Sequence, residues 1–388
     1  MKVVIAPGAF KHSLSATAAA QSIAAGLKRS GRHFNLYYSP IADGGNGTLD
    51  AFLASGGQRH PLTVRGPLGA LVEAAWGLLA DGETAVVEMA LASGLELLAA
   101  DELDPLRATT YGTGELMRAA LDAGAQRIIV GMGGSATVDG GAGCLQALGV
   151  RFLDASGRDI GPGGGALAAV TAVDVSGLDP RWADVDVIIA SDVENPTLGQ
   201  NGAAAVFGPQ KGATPPQVET LERNLRHFFT VTAETLGVDV RDTPGGGAAG
   251  AFSAGLMAFL GGRIVSGIDL VLDHSGFDAH LQDADLVITG EGQMDAQTVA
   301  GKGPIGVARR AAAAGVPTVA LVGGLRADDA LLHAAGLAAV LPIVTHPMPL
   351  NEALARADEL VERAALRLAY LLQISSDTRR GATKERSP

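Results

Sequence analysis

Several stretches of this chain place acids, glycines or a lysine where an apolar run gives way to a polar loop. In "IIVGMGGSATVDGGAG" (128–143), Gly133, Gly134, Ser135 and Asp139 stand between a strand-like run and the helix-like "AGCLQALG". Glycines at such a junction let the backbone approach an anion, and the amides of a helix start point at it. Three readings stay open. Gly131, Gly133 and Ala136 imitate a dinucleotide fingerprint, with Asp154 as its ribose-binding acid; the glycines build a structural turn; or the loop holds an anion such as phosphate. The intrusion of "TVDGG" speaks against the first, because the fingerprint opens its helix directly.

"ITGEGQMDAQTVAGKGPIGVA" (288–308) places Glu291 and Asp295 near a strand end and Lys302 just before an Ala-rich helix. Two carboxylates there can hold Mg²⁺ through waters, and a lysine can neutralise phosphate charge. "IADGGNGTLDAF" (41–52) has the same form, a strand ending at Asp43 followed by Gly44, Gly45 and a helix. "IIASDVENPTLGQNGAAAVFGPQKGAT" (188–214) sets Asp192 at a strand end and Lys211 in a polar loop, while "TTYGTGELM" (109–117) offers hydroxyls before a helix. "APGAFKHSLSA" (6–16) puts Lys11 where the first strand hands over to a helix, the place where α/β proteins bind anions. The nucleotide-binding P-loop pattern and the serine-hydrolase elbow are both missing, and the histidines form no metal-ligand spacing.

The elements that must carry these residues alternate. Apolar runs such as "KVVIA", "AQRIIVGMGG", "DVDVIIASD", "ADLVITGEG" and "VPTVALVGG" are separated by Ala/Leu-rich helical stretches. Such runs read as strands buried on both faces, and the alternation predicts parallel sheets with crossover helices. The expected layout is one α/β domain from residues 1–65 and 280–375, a second α/β domain inserted at 66–279, and a disordered tail at 376–388.

The chain has 388 residues, 53 of them glycine, with 4% aromatic residues and a net charge of −12, which argues against nucleic acid or an anionic membrane as main partner. The single cysteine, Cys144, excludes an internal disulfide framework, and the chain opens as a strand rather than a signal peptide. A cytoplasmic protein is expected. A homo-oligomer is compatible with the sequence, which does not set the number of subunits.

Taken in order, "APGAFKHSLSA", "IADGGNGT", "TTYGTGEL", "GGSATVDGGAG", "FGPQKGA", "LVITGEGQMDAQT" and "GKGPIGVA" resemble the motifs of the bacterial glycerate kinases of the glycerate 2-kinase type. The resemblance runs from Met1 to about Leu372. It implies ATP-dependent phosphorylation of a small hydroxy acid, D-glycerate to 2-phosphoglycerate, with Mg²⁺. It also implies that the domain made from the two chain ends is a flavodoxin-like, three-layer parallel sheet. On that basis Lys11, Asp192 and Asp295 are the catalytic candidates, and Glu291 and Asp295 the metal ligands. Asp43, Gly44, Gly45, Gly133, Gly134, Ser135, Asp139, Lys211 and Lys302 are candidates to bind substrate or phosphate. Departures fall inside the motifs, at Gly8, Ala9, Asn46, Val138 and Gln293. They raise a second expectation: a catalytically weakened relative that binds a hydroxy acid or nucleotide, or a kinase for a different hydroxy acid.

Overall fold

In the computed structural model the described residues are 1–295, 298 and 303–384, with side chains described as far as Gln373. In chain order the strands are β1 (Lys2–Pro7), β2 (Asn35–Tyr38), β3 (Gly57–Arg65), β4 (Leu71–Leu79), β5 (Thr84–Glu88), β6 (Arg127–Gly131) and β7 (Arg151–Leu153). They continue with β8 (Ala172–Asp174), β9 (Asp186–Ala190), β10 (Arg263–Val265), β11 (Leu286–Met294), β12 (Thr318–Leu325) and β13 (Leu337–Pro342). The chain divides into two compact units, Met1–Ala42 with Val271–Pro388, and Asp43–Leu270.

Unit 1 is built on a sheet ordered β2-β1-β11-β12-β13, with every pair parallel. Counted within the unit, this is the 2-1-3-4-5 order of flavodoxin-like sheets. "KVVIA" and "DLVITG" are neighbours in it, as expected, with Val3 paired to Leu286 and Pro7 to Gly290. The runs are apolar throughout because both faces are covered. Val3, Ile5, Ile288 and Leu321 pack with the helices Ala16–Arg29 and Ala357–Lys384. Ala320 and Val322 pack with the helices Pro304–Ala313 and Asp329–Ala334.

Unit 2 has a mixed sheet ordered β10-β9-β6-β5-β4-β3. It is parallel from β10 to β5 and antiparallel from there to β3. Val87, Val130 and Ile189 pack with Leu116 and Phe252 in one core. A second core gathers Phe152, Leu145, Leu221 and Phe228 around the long helix Pro215–Leu236.

Four boundaries differ from the sequence expectation. β2 stops at Tyr38 rather than reaching Asp43: Ser39 N–H and Ile41 N–H still donate to the Ile5 and Pro7 carbonyls at 2.9 and 3.0 Å, but Pro7 has no N–H to return the bond. β11 does not stop at Glu291 but runs on to Met294, since Gln293 and Met294 still pair with Gly324 and Leu325 of β12. The first segment of unit 1 ends at Ala42 rather than 65, because the whole of β3 pairs with β4. The last helix continues to Lys384, past the point where the sequence suggested that order ends.

The Ala16–Arg29 helix meets the C-terminal helix at Gly26, where a Cβ would overlap the Glu362 carbonyl and lie 2.8 Å from Ala365 Cβ. Alanine is worth about 1 kcal/mol over glycine inside a helix, but overpacking costs about 1–3 kcal/mol. Gly26→Ala is therefore expected to lower stability in urea denaturation; an unchanged or raised midpoint would show that this contact is loose.

Candidate active site

In unit 1, Lys11 and the pair Glu291/Asp295 sit at the carboxyl ends of neighbouring strands. β1 and β11 lie where the strand order reverses, and a crevice forms at such a switch point because successive connections leave on opposite faces. Gly8 N–H donates to the Gly290 carbonyl at 2.8 Å, which holds the chain after β1 beside β11. Phe10 is buried and pairs both ways with Leu14 at 2.9 Å, so residues 11–13 project as a tight turn. His12 takes a left-handed φ of 64° at its tip, a conformation that costs a non-glycine residue about 1–2 kcal/mol. The exposed Lys11 ammonium has no hydrogen-bond or ion-pair partner among the described residues. Ser15 then caps the following helix through the Ala18 N–H at 3.1 Å.

Across from this turn, the Lys11 backbone nitrogen lies 3.2 Å from where a Cβ on Gly292 would be, so the lysine turn borders the strand that carries Glu291. Thr298 Oγ1 donates to Glu291 Oε1 at 2.8 Å and accepts from the Asp295 N–H at 3.2 Å, tying the two acids into one loop. Gln293 Nε2 lies 3.4 Å from Asp295 Oδ2. Lys302 lies outside the described residues.

In unit 2, the remaining candidates gather over the carboxyl ends of β6 and β9. Gly44 is left-handed (φ 86°), and a Cβ there would overlap the Ala190 carbonyl at the end of β9. Its own carbonyl accepts from Gly133 N–H at 2.8 Å, which stitches the 43–47 loop to the 131–143 loop. Asp43 Oδ1 folds back over Gly45, and Asn46 Oδ1 rests against Gly134. Asp192 accepts from Gly267 N–H at 3.0 Å and Ile268 N–H at 3.4 Å, at the start of the helix Gly267–His274. Burial pushes the Asp192 carboxyl up; Ser266 and these amides oppose that, while the nearby Asp43 charge adds to it. Two adjacent carboxylates, one with a raised affinity for protons, can share a proton or a cation.

Lys211 is buried and donates from Nζ to Ser135 Oγ and to the Thr137 carbonyl, both at 2.7 Å. Burial pulls its pKa down to about 7, against the pull of Asp139. Asp139 is itself fully buried. Its oxygens accept from Thr110 N–H at 2.8 Å, Thr110 Oγ1 at 2.9 Å, Gly141 N–H at 3.2 Å and Gly143 N–H at 3.3 Å. Burial raises its pKa and these bonds resist it. Asp139 thus shapes the glycine loop from beneath.

The dinucleotide reading finds no support here. Asp154 spends its oxygens on Ser156 and Arg158 of its own turn, and the helix after the loop begins only at Ala142.

Sequence reasoning missed two contributors. Glu88, buried at the end of β5, accepts from Gly47 N–H at 3.1 Å and Leu49 N–H at 3.0 Å and so caps the short helix Thr48–Leu53. An acid ending an otherwise apolar strand, "TAVVE", was the signal available. Ala249, Gly250 and Ala251 form a left-handed turn (φ 54°, 68° and 68°), in which Gly250 backs directly onto Thr137. Strain of this kind collects at functional loops.

A sequence profile of the glycerate kinase family matches residues 3–373. The chain belongs to the glycerate kinase family. It is 48% identical over 376 residues to the glycerate kinase of Bacillus subtilis (strain 168), covering 97% of this chain and 98% of that one. It is 47% identical over 376 residues to the glycerate 2-kinase of Escherichia coli (strain K12), covering 96% and 98%. A crystal structure from Salmonella typhimurium LT2, assigned as a glycerate kinase 2, superposes with a TM-score of 0.84 at 46% identity, over 97% of this chain and 99% of that one. The glycerate kinase resemblance carried by the motifs therefore extends over the whole fold.

The buried lysine makes a prediction about stability. Unfolded, Lys211 keeps its proton to about pH 10.4; folded, it loses it near 7. Between those values the unfolded chain holds more protons, so this group's contribution to stability rises with pH. In urea denaturation, the stability of wild type relative to Lys211→Met should rise by about 1–3 kcal/mol from pH 7 to 10. A difference that stays flat or falls would place the folded pKa near its ordinary value.

Proposed function

We propose that this chain transfers the γ-phosphoryl group of ATP to the 2-hydroxyl of D-glycerate, giving 2-phosphoglycerate and ADP. The bond from the glycerate oxygen to phosphorus forms, the bond from phosphorus to the bridging oxygen breaks, and the hydroxyl proton passes to a carboxylate. Asp192 or Asp295 accepts that proton; the raised proton affinity of Asp192 favours it for the task. Lys11 offsets charge on the transferring group, and the Ser135–Lys211 loop holds an anionic part of a substrate. Such catalysis is mostly positioning and charge neutralisation.

One observation carries the reading: Lys11, Glu291 and Asp295, the residues singled out by the motifs, border the switch point of a sheet in a chain that matches the glycerate kinase family from residue 3 to 373. Glu291 and Asp295 supply hard oxygen donors, which suit Mg²⁺ because that ion keeps several waters and takes only one or two carboxylates. The ion, when bound, supplies charge neutralisation to the phosphates.

The weakened-relative reading has less behind it. The relatives named glycerate kinase match over nearly the full chain. A Cβ at position 8 would meet the Gly290 carbonyl at 3.5 Å and Ile41 Cγ1 at 3.9 Å, ordinary contacts, so the turn has room for a side chain there. Asn46 and Gln293 both engage site residues, Gly134 and Asp295.

A coupled ADP-release assay with Mg²⁺ and a panel of hydroxy acids tests this. D-Glycerate is expected to give the highest kcat/KM; a tenfold preference for another acid would move the assignment to that substrate. Lys11→Ala is expected to lower kcat/KM for D-glycerate by about 10²–10³, the usual effect of removing one charge-stabilising group. Wild-type turnover in that variant would remove Lys11 from the mechanism.

A further inference from the structure

Unit 2 contains a half-open cavity of about 690 Å³, none of whose walls comes from the candidate catalytic residues. It lies between the end of β3, the segment before the helix Tyr111–Asp122, and the chain on either side of β7. We propose that it is a binding site for a small organic phosphate.

Charge is the first argument. The lining holds Arg65, Arg107 and Arg151 against one acid, Asp159. Arg151 and Asp159 cancel each other through two hydrogen bonds of 3.0 Å. Arg65 and Arg107 have no carboxylate partner for their guanidinium groups among the described residues. In a chain of net charge −12, two uncompensated arginines on one cavity make a local positive field. The guanidinium fork matches phosphate oxygens two at a time.

Preorganisation is the second. The Arg65 guanidinium lies 4.2 Å over the Tyr111 ring, and its backbone N–H donates to Glu115 Oε2 at 2.7 Å. A Cβ on Gly112 would overlap the Arg65 carbonyl, so β3 and the helix start are pressed together at this wall. Thr109 N–H donates to the Pro67 carbonyl at 2.9 Å, closing the same side. The fork is thus held before any ligand arrives, which reduces the ordering cost of binding.

The remaining lining sets the size and class of ligand. Val150, Ile160 and Pro67 are apolar and buried. Gln146 spends its amide N–H on the Ile160 carbonyl at 3.3 Å, which leaves its carbonyl oxygen as an acceptor for a ligand hydroxyl. A hydroxylated carbon body with a phosphate at the arginines fits this pattern, and the volume is that of ordinary metabolite sites. The cavity is also wired to the glycine loop. Thr109 and Tyr111 flank Thr110, whose N–H and hydroxyl both hold Asp139. A ligand bridging Arg65 and Arg107 braces both sides of that link.

The test uses the full-length protein with saturating ADP, so that nucleotide phosphate sites are filled. Calorimetric titration is run with fructose 1,6-bisphosphate, inorganic pyrophosphate and citrate. The bisphosphate is expected to bind with one equivalent, citrate far more weakly. The exposed pair Arg65→Gln/Arg107→Gln should weaken it about 10- to 100-fold, the range for losing charge-assisted hydrogen bonds. Arg158→Gln, an exposed arginine outside the lining, should leave binding unchanged. Circular dichroism confirms that each variant is folded. Protection of the Arg65 and Arg107 peptides from phenylglyoxal by the bisphosphate is the second readout, and it does not depend on the variants. Three results would overturn the proposal: no binding of either phosphate probe at about 10 mM, a level too weak to matter; equal binding by the double variant; or citrate binding as tightly as the bisphosphate. None of these outcomes depends on whether D-glycerate is the substrate.

Discussion

A buried carboxylate must find donors or become neutral, and Asp139 organises unit 2 through that requirement. Its four donors come from two separate places in the chain. Thr110 stands at the start of the helix Tyr111–Asp122; Gly141 and Gly143 stand at the start of the helix Ala142–Ala147. The acid therefore joins two positive helix ends that would otherwise face each other unpaired. Thr110 Oγ1 also accepts from the Cys144 N–H at 2.9 Å, so the hydroxyl relays the same constraint. Cys144 is sealed in this packing, its thiol pushed well up by burial, and is inert.

With the loop pinned from below, its upper side is free to hold Lys211. A fully buried ammonium is costly, and its two acceptors, Ser135 Oγ and the Thr137 carbonyl, offset that cost only in part. The depressed pKa is the result. A negatively charged ligand at Ser135 would complete the compensation and draw a proton onto the lysine. The cost of burying the lysine and the compensation an anion would bring thus share one physical origin. The left-handed Ala249–Ala251 turn pressed behind Thr137 is a further cost borne by the same loop.

Unit 1 solves the placement problem by topology. A parallel sheet sends every strand's carboxyl end to the same edge, and the reversal of order between β1 and β11 opens that edge. Lys11 and Glu291 are 280 residues apart in the chain, yet register pairing from Val3–Leu286 to Pro7–Gly290 carries them to adjacent strand ends. The two units use the same device, since Asp192 and Gly133 also follow parallel strands, β9 and β6.

Much of this was readable from the residues alone. Apolar runs without alternation marked strands covered on both faces, because a pattern of that kind has no solvated side to spare. The acids, glycines and lysines after those runs stood at the carboxyl ends of the strands, and the ordered motifs identified the family. Strand ends were less legible: whether β11 stops at Glu291 or Met294 depends on β12 being present to pair with it, which no local signal contains. Glu88 and Asp139 show the limit most clearly. In sequence Asp139 is a candidate to bind substrate or phosphate and Glu88 draws no notice, yet each turns inward to satisfy backbone amides, Glu88 about 40 residues away along the chain, at Gly47 and Leu49, and Asp139 at Thr110 as well as at its own loop. The sequence by itself determined which residue types stand at which strand ends. Only the tertiary structure decided which acids turn inward to hold the loops, because an acid's role depends on which donors the fold brings to it.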